Sequence, residues 1–181
     1  MTVATPADVL AFWLEAGPKK WFAKDDGFDA EIISRFLATY EAAAGGQLAD
    51  WEISSESALA LVIVLDQFPR NMFRADARAY AADATARGIA DRAIAHGFDR
   101  QLPAAERHFF YLPFEHSEEL ADQERCVALI RALDDADLLR WAELHADIIR
   151  RFGRFPHRNV VLGRATTAAE RDFLDNDGFA G

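Results

Sequence analysis

The chain has 181 residues, 51% of them hydrophobic, with one cysteine, Cys126, and a net charge of −10. That length buries the core of one domain better than two, the lone cysteine excludes an internal disulfide framework and a multi-cysteine zinc site, and the negative balance argues against general nucleic-acid binding, which rests on clustered Lys and Arg. The longest apolar run, residues 58–65, falls far short of the roughly 20 residues that cross a bilayer as a helix; residues 1–8 carry no positive charge before their first apolar stretch, so neither a membrane span nor a secretory signal is expected and the cytoplasm is the default location.

Helical periodicity runs nearly everywhere, with no two-residue alternation and no hairpin signal, which predicts an all-α protein. Thr5, Pro6 and Asp8 start a first helix that runs to about Glu15. Gly17-Pro18 breaks the chain, Trp21-Phe22 can anchor it, and a second helix spans Phe28 to Ala44 before Gly45-Gly46. Ser54 or Ser55 starts a third, apolar on every side over residues 58–65 and therefore central and buried. A fourth fits Asp76 to His96, stopped by Gly97, with His96 a favourable neighbour of the helix end. Pro103 opens a fifth that ends near Pro113. Ser117 can cap a sixth to about Leu133, a seventh covers Leu138 to Phe152 before Gly153, and Thr167 with Glu170 forms a capping box for a last short helix. Short links between successive helices favour antiparallel helical hairpins.

Two segments repeat one pattern at the ends of apolar runs. Residues 66–74 read Asp-Gln-Phe-Pro-Arg-Asn-Met-Phe-Arg, and residues 154–159 read Arg-Phe-Pro-His-Arg-Asn. Phe-Pro can stop a helix and fix the exit of the chain, while the Arg, His and Asn that follow gather hydrogen-bond donors. Asp66 stands where a helix leaves partial negative charge, so it needs a partner, from Arg70, Arg74 or backbone N–H groups. That local conflict fits either a structural lock or a ligand-facing role.

From Ile148 to Ala169 there are five arginines and no acid; from Glu115 to Glu124 there are five acids and no Lys or Arg. The two runs are solvated faces, or pair with each other, or build a cationic pocket with carboxylates nearby. Leu138, Trp141, His145, Ile148 and Phe152 share one face of the seventh helix, which puts His145 among apolar residues, and Gln123 lies on a similar stripe; both need hydrogen-bond partners. Residues 109–116, Phe-Phe-Tyr-Leu-Pro-Phe-Glu-His, form an aromatic platform delivering an acid and an imidazole. Glu115 with His116 or His157 could do acid–base work. Cys126 reads as an ordinary structural thiol. No His-Glu-x-x-His or Glu-x-x-His spacing indicates a metal, no glycine-rich phosphate loop is present, and no cofactor is expected.

Three stretches carry a resemblance to a known family: residues 64–74 (Val-Leu-Asp-Gln-Phe-Pro-Arg-Asn-Met-Phe-Arg), residues 110–117 (Phe-Tyr-Leu-Pro-Phe-Glu-His-Ser) with Asp122-Gln123, and residues 153–159 (Gly-Arg-Phe-Pro-His-Arg-Asn). They resemble the bacterial family catalogued as domain of unknown function 924, over nearly the whole chain. The resemblance implies a helical fold similar to tetratricopeptide repeats and offers no catalytic residue to carry over; with the length, the expectation is one all-helical domain over residues 1–181.

Three functions remain open. The first is binding of a small anion or an acidic peptide end by Arg70, Asn71, Arg74, Glu115, His116, Arg154, His157, Arg158 and Asn159, with the Phe-Pro turns converging on one pocket. The second is an enzyme using Glu115, His116 or His157 as acid or base. The third is a helical scaffold for a protein partner, with the motifs as internal locks.

Overall fold

Residues 58–65, apolar on every side, are all at most 2% exposed, and they lie at the centre of the first part of the chain. The structure, a computed structural model, describes residues 2–21 and 23–176, so the Phe22 half of the expected Trp21-Phe22 anchor lies outside the described residues. It divides into two compact units, Met1–Pro113 and Phe114–Gly181. No strand occurs among the described residues, and no helix among them is long and apolar enough to cross a membrane.

In the first unit, α1 (Pro6–Ala16) opens with a full capping box, Thr5 accepting from the Asp8 N–H while Asp8 returns to the Thr5 N–H. Gly17, at φ +71, ends it in a conformation that favours glycine. The single turn α2 (Pro18–Trp21) then lets the Trp21 indole donate to the Trp13 carbonyl at 2.6 Å. The helix α3 (Asp26–Ala44) is capped by Asp25, and α4 (Ser55–Val62) by Ser54. Helix α4 packs against α1 and against α6 (Asp83–Ala95). Phe12, Phe28, Phe36 and Phe68 close the core around Trp13, with the Trp13 and Phe109 rings 5.8 Å apart.

Phe68-Pro69 does not stop the helix, contrary to expectation. After α4 the chain widens into one π turn, Ile63–Gln67, in which the Phe68 N–H reaches back to the Ile63 carbonyl, and continues as α5 (Phe68–Met72). Proline lacks an N–H and its ring collides with the carbonyl four residues earlier in a regular α-helix; the wider turn removes that collision. The helix α7 (Ala104–Glu115) ends near Pro113, as expected, with that proline inside its last turn. The expected fourth helix is interrupted: a 3-10 turn, Ala77–Tyr80, precedes α6. At the other end of α6, His96 Nδ1 lies 2.7 Å from the Arg92 carbonyl.

In the second unit, α8 (Leu120–Arg131) begins later than expected because Ser117 Oγ accepts from the Glu119 N–H and donates to Asp122, making a local turn before the helix. Helix α9 (Ala136–Phe152), capped by Asp135, packs along α8 after a short link and ends at Gly153, φ +68. Gly153 ends α9 before the second Phe-Pro is reached. Phe155 is extended, as a residue before proline prefers, and Pro156–Arg158 makes one 3-10 turn. The two Phe-Pro segments therefore share a sequence pattern and not a backbone. The last element, α10 (Ala168–Asn176), starts with the expected capping box of Thr167 and Glu170.

Candidate functional site

The continuation of the helix through Phe68-Pro69 sets Arg70 one turn after Asp66, on the same side of the chain. Asp66 is fully buried and accepts from Gln67 Nε2 at 2.6 Å. The Arg70 guanidinium donates to the Asp66 carbonyl, stands 3.5 Å from Asp66 Oδ1, and grips both oxygens of Asp83 at 3.2 Å. Asn71 and Arg74 turn to a different carboxylate: Asn71 Nδ2 donates to Asp29 Oδ1 at 2.8 Å, and Arg74 donates to both Asp29 oxygens and to the Ala23 carbonyl. Asp29 itself is 8% exposed. The first motif is thus closed on carboxylates of its own unit.

The second motif meets the loop that joins α7 to α8. Glu118 accepts the Phe155 N–H at 2.8 Å and both Nη atoms of Arg164 at 2.7 and 3.0 Å. Burial alone would raise the Glu118 carboxyl; Arg164, the Phe155 N–H and Arg158 outweigh it and hold the group below its ordinary range. Arg158, buried, donates to the His116 carbonyl at 3.0 Å and lies 4.4 Å over the Phe155 ring. The half-buried His157 ring is 5.6 Å from Phe155. Asn159 is fully buried, with Nδ2 at 3.5 Å from Thr166 Oγ1. Arg154 holds both oxygens of Glu170 at 2.6 and 2.9 Å and the Ala165 carbonyl at 2.8 Å. Of the relations open between the acidic and arginine runs, Glu118 and Arg164 show mutual pairing.

A third polar centre lies beneath this loop. Gln123 is fully buried, and its Nε2 donates to the carbonyls of Glu115 and Ser117 at 2.5 and 2.6 Å, with that of Phe114 at 3.4 Å. Three acceptors around one nitrogen assign the amide orientation, since only its NH₂ can donate. His145 Nδ1 lies 2.8 Å from the Trp141 carbonyl and 3.2 Å from Glu115 Oε1, so this nitrogen carries the proton. Cys126 Sγ is 3.8 Å from Glu115 Oε2, and burial, with Glu115 beside it, pushes the thiol up, which suits an inert packing group. Trp141, expected on the buried stripe, stands at its edge and is 44% exposed.

Glu170 is the most strongly perturbed carboxyl with a resolved cause. Arg154 above all, helped by the Thr167 and Asn159 hydrogen bonds, holds it well below its ordinary 4.5. A carboxyl depressed in the folded state adds stability above its unfolded value and loses it as pH falls through the folded one. In melting curves across acid pH, the wild type is therefore expected to lose stability on titration below about 4.5, and Glu170→Gln to lose less over the same range. Parallel curves for the two proteins would show that Glu170 is not the group responsible.

A cleft of about 140 Å³ in the first unit, with Glu52, Ile89, Arg92, His96 and Phe98 among its walls, contains none of the residues of the two motifs. Typical small-molecule sites are several times larger.

A family model for a bacterial protein of unknown function, DUF924, matches residues 9–178. The chain belongs to this family. DUF924 carries no assigned activity, and the chain is similar to a solved structure of a protein of unknown function from Agrobacterium tumefaciens, at 49% identity and a TM-score of 0.92 over 94% of this chain and 96% of that one. No curated protein matches. Among the residues that carry the family resemblance, Asp66, Arg70, Gln123, Glu115 and Arg158 all make contacts within their own unit. Asp29 and Asp83, which complete the first motif, are not legible in the sequence: Asp29 reads as an ordinary acid in the first turn of a helix, and Asp83 lies inside the expected fourth helix, whereas α6 starts at it.

Proposed function

We propose that this protein is a helical, cytoplasmic scaffold for a protein partner, in which the two Phe-Pro motifs act as internal locks. The observation that carries this reading is that Arg70, Arg74, Arg154 and Arg164 each face a carboxylate of the same unit in paired geometry. A guanidinium already matched by a carboxylate has no net charge to offer a second anion, and exchange would leave Asp66 or Glu170 buried without its cation. Trp141 and Leu144, one helical turn apart on α9 and 44% and 37% exposed, offer apolar contacts of the kind protein interfaces use. Binding of a small anion by Arg70 and Arg158 competes with this reading, as does acid–base chemistry at Glu115, a buried residue whose carboxylate is already near His145 and Cys126.

A thermal-shift series with phosphate and small carboxylates separates the readings. As a scaffold, the wild type melts at the same temperature with phosphate or carboxylate as with chloride of equal ionic strength, while Arg70→Ala and Arg158→Ala melt lower without any additive. An anion that raises wild-type melting and does nothing for these two variants would return the arginines to a binding site.

A further inference from the structure

We draw no further inference here: the strongest candidate, the cleft between α4 and the last turns of α6 walled by Glu52, Ile89, Arg92, His96 and Phe98, carries nothing, because Glu52 and Arg92 are already matched to each other, His96 Nδ1 lies against the Arg92 carbonyl, and nothing in the structure shows what would occupy the space that remains.

Discussion

Arg70→Ala is expected to destabilise the protein by about 3–5 kcal/mol, the range for breaking a buried ion pair by removing one partner. The effect is large because the side chain serves Asp66 and Asp83 together, and Asp66 has no exposed surface over which water could replace it. With total stabilities of roughly 5–15 kcal/mol for a domain, such a loss unfolds a substantial share of the protein near its working temperature. Denaturant unfolding measures it directly. The control is the double variant Arg70→Met, Asp66→Asn, which removes the fully buried one of the two stranded charges, leaving the slightly exposed Asp83, and is expected to be more stable than Arg70→Ala alone. An Arg70→Ala protein within about 1 kcal/mol of wild type, in the range of an exposed pair, would mean that the cluster is only a surface contact.

Gln123→Glu is the second large effect, although it changes few atoms. In the wild type one NH₂ group serves carbonyls of Phe114 and Glu115 at the end of α7 and of Ser117 in the turn after it. A carboxylate at that place has no hydrogen to donate and turns its charge toward those same oxygens, in a position without solvent. A loss of at least about 3 kcal/mol is expected, with Gln123→Leu milder because it removes the donor without burying a charge. Urea unfolding of the two variants side by side tests the order. If Gln123→Leu proves the worse of the two, the amide acts through packing and not through its hydrogen bonds.

Local chemistry makes much of the fold legible in the sequence. Thr5 with Asp8, Ser54, Gly153, and Thr167 with Glu170 all start or stop helices where their side chains or their backbone freedom predict. The inward placement of Gln123 and His145 follows from helical spacing, and the fold supplies the partners that burial demands. What stays hidden depends on residues far apart or on subtle winding. The π turn before Phe68-Pro69 reverses the expected helix stop, because five-residue winding leaves no distinct sequence pattern. Asp29 pairs with Arg74 across 45 residues, and helix-start acids like it are common enough that nothing marks this one. The repeated Phe-Pro pattern is the clearest signal in the chain, yet one copy continues a helix and the other is an extended residue followed by a single 3-10 turn, so a shared function of the two does not follow from their likeness.

The claim that the motif arginines are internal locks is tested most directly on the guanidinium groups themselves. Nitrogen-15 spectra of the arginine side chains, recorded at neutral pH with and without phosphate, report both their protection and their response to an anion. The locks predict slowly exchanging N–H signals for Arg70, Arg154, Arg158 and Arg164 that keep their positions when phosphate is added. Rapid exchange of those signals in the free protein, with shifts on adding phosphate, would contradict the account.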